Sequence, residues 1–127
     1  MNAHQIELTI RHYIDNRFTH GLSKEDQYKK SFVKQMCFGE LKLSIQASEG
    51  HYCHPRENTD YYDEVEIGFP NFNFSDGFIE KYAEDKDKPQ DTVYGYVPIS
   101  EIAKEISVLL KVDSKWKKKH KLKNRFV

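Results

Sequence analysis

The sequence predicts an α+β domain: an N-terminal helical hairpin, a small and mainly antiparallel sheet of about three strands, and a C-terminal helix with a basic tail. Apolar residues recur at helical spacing near both ends of the chain, and they alternate at period two in its middle. The length, 127 residues, suits one modest core.

Ile6, Ile10, Ile14 and Phe18 recur every four residues with Tyr13 beside them, which predicts a helix ending near His20 and Gly21. Ser23 is placed to cap a second helix, where Glu25 and Asp26 suit the positive end of the helix dipole and Tyr28, Phe32, Val33 and Met36 form the inner face. Leu41, Leu43, Ile45 and Ala47 then alternate with Glu40, Lys42, Ser44 and Gln46, the pattern of a strand with one buried side. Residues 50–59 read as a loop. Val65, Ile67 and Phe69 alternate with Glu64, Glu66 and Gly68 in a second strand that Pro70 ends.

A short helix over 76–83 buries Phe78, Ile79 and Tyr82, and a charged loop follows over 84–91. Val93, Tyr94, Tyr96 and Val97 predict a third strand over 92–97, in which Gly95 either weakens the strand or marks a close contact. Ser100 caps the last helix, with Ile102, Ile106, Leu109 and Leu110 at helical spacing. Residues 1–110 are thus expected to form one domain, with 1–37 a helical extension and 38–110 the sheet and remaining helices. Residues 111–127 form the basic tail.

Hydrophobic content of 38% with 31% charged residues describes a well-solvated globular chain. No run approaches the roughly 18 apolar residues of a membrane span, and the N-terminus lacks a signal-peptide profile, so a protein in the cytoplasm of a bacterial host is expected. Cys37 and Cys53 are too sparse for a disulfide framework and suit reduced thiols.

The formal charge of zero hides a strong polarity. From Lys111 onward eight cations face only Asp113, a net +7, which leaves −7 on the rest of the chain. Residues 57–91 hold eleven carboxylates against three lysines, a local −8. Such fields govern encounter with charged macromolecules.

The stretch ASEGHYCHPRENTDYYDEVEIGFP, followed by YAEDKDKPQDTVYGYVPISEIAKEI, resembles a family of small uncharacterised proteins carried by phages and bacterial mobile elements. Similar members share an HYC-PR turn, a VE-G-P strand and the blocks YAED and DTVYGYVP. The resemblance covers about residues 43–106, roughly half the chain. It implies a fold and a mobile-element origin; it carries no activity over to any residue.

His51, Cys53 and His54 bring three metal-ligand types together, but a zinc site normally needs a second pair from elsewhere, so the expectation is no metal and no cofactor. The structural alternative is a turn in which Tyr52 packs inward and Pro55 stiffens the chain. Glu40-Leu41-Lys42 matches half of a metal-dependent nuclease motif, whose missing aspartate belongs on a preceding strand, while Asp26 falls in a predicted helix. An enzyme is therefore not expected.

Two binding regions remain. Glu57, Asp60, Asp63, Glu64 and Glu66 with Tyr61 and Tyr62 form a candidate acidic face that imitates nucleic acid toward a basic groove. Lys115, Trp116, Lys117, Lys118, Lys119, Lys121, Lys123 and Arg125 form a candidate RNA- or DNA-binding tail, in which cations neutralise phosphates and the indole stacks on bases. The same tail has an intramolecular alternative, lying against the acidic body. The leading expectation is a non-enzymatic inhibitor of a larger host protein or ribonucleoprotein complex, an anti-CRISPR or other anti-defence factor or a toxin-immunity protein. A small nucleic-acid-binding module using the tail comes second, and a metal-dependent nuclease third.

Overall fold

Helix α1, Ala3–Ile14, begins with a capping box. Gln5 N donates to Asn2 Oδ1 and Asn2 N donates to Gln5 Oε1, both at 2.9 Å, so two otherwise orphaned amides are satisfied. Ile6, Ile10 and Ile14 are fully buried, and each such side chain contributes about 1.5–3 kcal/mol relative to exposure. The structure, a computed structural model, describes residues 1–112.

The helix stops at Asp15, not near His20 as the periodicity suggests. Asn16 turns into the left-handed region at φ 64° and donates its N–H to Asp60 O at 3.0 Å, which takes the chain out of the helical path. Arg17 then gathers three carbonyls, those of Ile14, Lys30 and Ala47, and ties the ends of three segments together. Phe18 packs against the core from outside the helix.

Helix α2, Lys24–Lys30, is capped by Ser23, whose Oγ accepts from Asp26 N at 3.1 Å. It buries no residue. The predicted inner face is therefore corrected: Tyr28 and Phe32 are exposed and Met36 belongs to a strand. The helical hairpin is corrected with it, because α1 packs chiefly against the last helix of the chain.

Four strands, one more than expected, form an antiparallel meander in the order β1-β2-β3-β4. They are β1 Met36–Phe38, β2 Leu41–Gln46, β3 Glu64–Gly68 and β4 Val93–Pro98. Gly39 turns the first hairpin at φ 61°, a conformation that suits a residue without Cβ. Ile45 opposes Ile67, and Val65 opposes Val97, so the apolar residues of successive strands share one side.

Helix α3, Asp76–Tyr82, buries Phe78 against Tyr94 and Phe74. Helix α4, Ile99–Lys111, follows β4 directly from Pro98. Ser100 thus lies inside the helix, contrary to its expected capping role. Proline at the boundary has no N–H to leave unsatisfied, and Ile99 N donates to Asp63 O at 3.1 Å. Ile99, Ile102, Ala103 and Ile106 join the α1 isoleucines and the inner residues of all four strands in one core. The first helix is part of that core, and residue 37 falls within β1.

Candidate functional site

In the loop from 48 to 63, Tyr52 lies against Glu66, Gly95 and Tyr96 of the β3–β4 pair, and the loop backbone is pinned from several directions. Ser48 Oγ accepts from Gly50 N at 3.1 Å and lies 2.6 Å from His51 Nδ1. Cys53 Sγ donates to Ser48 O at 3.2 Å. Both His51 and Cys53 are buried. Burial lowers the His51 pKa despite the opposing charge of Glu66, and burial raises the Cys53 thiol, so the imidazole is held neutral and the thiol protonated.

His54 instead projects outward, with Nδ1 3.3 Å from Asp63 Oδ2. The three candidate ligands therefore have separate tasks. Among the described residues no group of three or more His, Cys, Asp or Glu side chains is placed to hold a metal ion. The inward packing expected of Tyr52 is corrected: its ring is exposed, and His51 and Cys53 are the buried members of the segment.

On the acidic segment Glu57, Asp60, Tyr61 and Asp63 are exposed. Glu64 and Glu66 are half-buried on the outward side of β3. Tyr62, assigned from sequence to the same face, is a core residue with no exposed surface. Its hydroxyl donates to Glu57 O at 2.6 Å and accepts from Thr59 N at 3.2 Å, which gives a buried phenol both partners and folds the loop around it.

Helix α1 fixes the other end of this loop. Arg11 Nη1 donates to Tyr62 O at 3.0 Å and to Asp15 Oδ2 at 3.3 Å, and the guanidinium lies 4.5 Å from the centre of the exposed Tyr61 ring. Burial would lower the Arg11 pKa, but the hydrogen bonds its guanidinium donates to Asp15 and Glu7 outweigh it and the value is raised. Asp15 is pushed up by its own burial, against the pull of Arg11.

The sequence did not reveal the most constrained part of this surface. Val65 opposes Val97 and Ile67 opposes Tyr94, so Glu66 faces two residues, Gly95 and Tyr96, across a bulge in β4. Tyr96 sits at φ 54°, in the left-handed region that non-glycine residues seldom occupy. Its N–H leaves the ladder and donates to Tyr52 O at 2.9 Å, while Tyr52 N donates to Glu66 Oε2 at 2.8 Å.

Tyr52 is thereby held by both of its backbone polar groups, and a Cβ on Gly95 would meet Tyr52 Cβ at 3.2 Å. The two phenol rings lie 5.9 Å apart, tilted at 38°, and remain 42% and 47% exposed. Arg56 stands 5.0 Å above the Tyr52 ring. One sequence signal pointed here: a glycine inside a strand pattern, Gly95, marks close approach of another chain segment.

Glu40 lies in the β1–β2 turn, and Asn71 Nδ2 donates to its carbonyl at 2.8 Å, while Lys42 N donates to Asn71 Oδ1 at 2.8 Å. The strand before them, Met-Cys-Phe, has no aspartate, and Asp26 lies in α2. Lys115, Trp116, Lys117, Lys118, Lys119, Lys121, Lys123 and Arg125 lie outside the described residues. No helix among the described residues is long and apolar enough to cross a membrane. Comparisons with family models, with curated proteins and with solved structures found no significant match.

Proposed function

We propose that this is a non-enzymatic binding protein, carried by a phage or mobile element, that inhibits a larger host machine by occluding its nucleic-acid site. Anti-CRISPR or other anti-defence action is the most concrete form, and toxin immunity uses the same physics. The partner is a host protein or ribonucleoprotein complex met in the bacterial cytoplasm. The observation that carries the reading is the exposure of Glu57, Asp60 and Asp63 around the exposed Tyr61 ring, on a loop pinned to α1 and the core. Carboxylates steer encounter with a basic groove, aromatic rings supply contact area, and a pre-ordered loop lowers the entropy cost of docking.

The test is capture of partners from a host lysate by the tagged full chain, with and without nuclease digestion, beside a Glu57→Gln, Asp60→Asn, Asp63→Asn variant. A protein partner that survives digestion and is lost with the carboxylates supports the reading. Loss of every partner on digestion overturns it and favours the second reading, a small RNA- or DNA-binding module. That alternative draws on the net charge of +7 from Lys111 onward. Truncation after Leu110 abolishes salt-dependent nucleic-acid binding if the tail is the working part, and leaves groove occlusion by the acidic face intact.

A further inference from the structure

We propose that Tyr52 and Tyr96 are the anchor of the docking face and that they receive an arginine side chain from a basic protein surface. The inference deepens the binding reading above and rests on it. Four observations converge on this pair. Both rings keep nearly half their surface exposed, although Tyr52 is held by its backbone N–H and carbonyl and Tyr96 by its backbone N–H. Tyr96 is held in a left-handed conformation that costs about 1–2 kcal/mol for a residue with a Cβ, and the bulge at this point directs its ring onto Tyr52. Strain of this kind persists where surrounding structure over-determines it, and it concentrates at ligand clamps.

The third observation is chemical. Arg56 already lies 5.0 Å over the Tyr52 ring, so the phenol faces here accept a guanidinium. The fourth is charge. Glu66 is bonded to the Tyr52 backbone, and Glu64 lies two residues along the same side of β3, next to Pro98 of β4. Asp63 and Glu49 stand exposed in the adjoining loop, and the nearest cation in that loop is Arg56. His51, also adjacent, is held neutral by burial.

A guanidinium fits this arrangement in two ways, by stacking on a phenol face and by pairing with a carboxylate. A nucleobase stacks equally well on tyrosine, but its phosphates would enter a field of like charge, so nucleic acid is disfavoured at these rings. The rings already touch one another, so the incoming group stacks on an outer face rather than between them.

The test uses the full chain labelled with 13C at tyrosine and a capped Gly-Arg-Gly-Arg-Gly peptide as the probe, with lysine and citrulline counterparts. The ring resonances of Tyr52 and Tyr96 shift saturably with the arginine peptide, at least threefold more weakly with the lysine peptide, and not with the citrulline peptide. Tyr96→Gly, which removes the ring and suits the left-handed backbone, weakens arginine-peptide binding at least fivefold with an unchanged fold by circular dichroism. Tyr52→Leu does the same and serves as the second variant. Unmoved rings at millimolar peptide, an equal response to citrulline, or a stronger response to oligothymidylate overturns the proposal.

The lysate capture separates the two levels of the argument. Capture lost in the Glu57, Asp60, Asp63 variant but kept in Tyr96→Gly sinks the anchor alone. Capture unchanged in both sinks the docking reading beneath it.

Discussion

Replacing Tyr96 by glycine and by alanine isolates the backbone strain at the β4 bulge. Both variants lose the same ring and its tilted contact with Tyr52, so their difference carries no packing contribution from the phenol. At φ 54° an alanine retains a Cβ and the left-handed penalty of about 1–2 kcal/mol, which glycine does not incur. Glycine in turn loses about 0.4–1 kcal/mol more chain entropy on folding. The balance leaves the glycine variant more stable by about 0.5–1 kcal/mol. In an ordinary strand position the order is reversed, because alanine there is better than glycine by roughly the same amount. Urea denaturation followed by circular dichroism reads the sign directly: with a slope of about 1.5 kcal/mol per molar, the midpoints separate by roughly 0.3–0.7 M. An alanine variant equal to or more stable than the glycine variant refutes the assignment of strain to Tyr96.

Three further outcomes follow from the same geometry. Arg17→Met keeps the aliphatic stem but strips three carbonyls of their donor, and it lowers the unfolding free energy by about 2–4 kcal/mol in urea titrations. Burial raises the Tyr94 phenol to about 12 and its hydroxyl donates to Pro89 O at 2.6 Å; the stability this holds is complete below pH 10 and is lost as pH rises from 10 toward 12, which Tyr94→Phe removes from the pH profile of thermal unfolding. Under native conditions a disulfide thiol reagent modifies Cys37, which is exposed, at least a hundredfold faster than Cys53, which is 1% exposed with a raised pKa; equal rates would contradict the packing of the 48–53 loop.

Much of the sheet was readable because β2 and β3 alternate, with Leu41, Leu43, Ile45, Val65 and Ile67 all buried, while β4 buries Tyr94 and Val97 on either side of its bulge. β1 was not, since Met36, Cys37 and Phe38 make a strand too short for a periodic signal and continue the helical spacing of Tyr28 and Phe32. That accidental spacing also gave α2 an apolar face it does not have. On the acidic segment, adjacency hid the answer. Tyr61 and Tyr62 are chemically identical neighbours on one loop, and only the backbone path sends the first outward and the second between Thr59 and Glu57. The Tyr52–Tyr96 pair was hidden for a related reason: it depends on a bulge and on contact between residues far apart in sequence, neither of which leaves a local period. Gly95 alone registered it.

The packing of α1 against α4 sets an order on biosynthesis. The stripe of Ile6, Ile10 and Ile14 is synthesised nearly a hundred residues before the helix that covers it. Until then the nascent chain carries an uncovered greasy ridge, a handle for chaperones and a hazard for premature clumping. A chain that ends before Ile99 lacks the helix against which α1 chiefly packs.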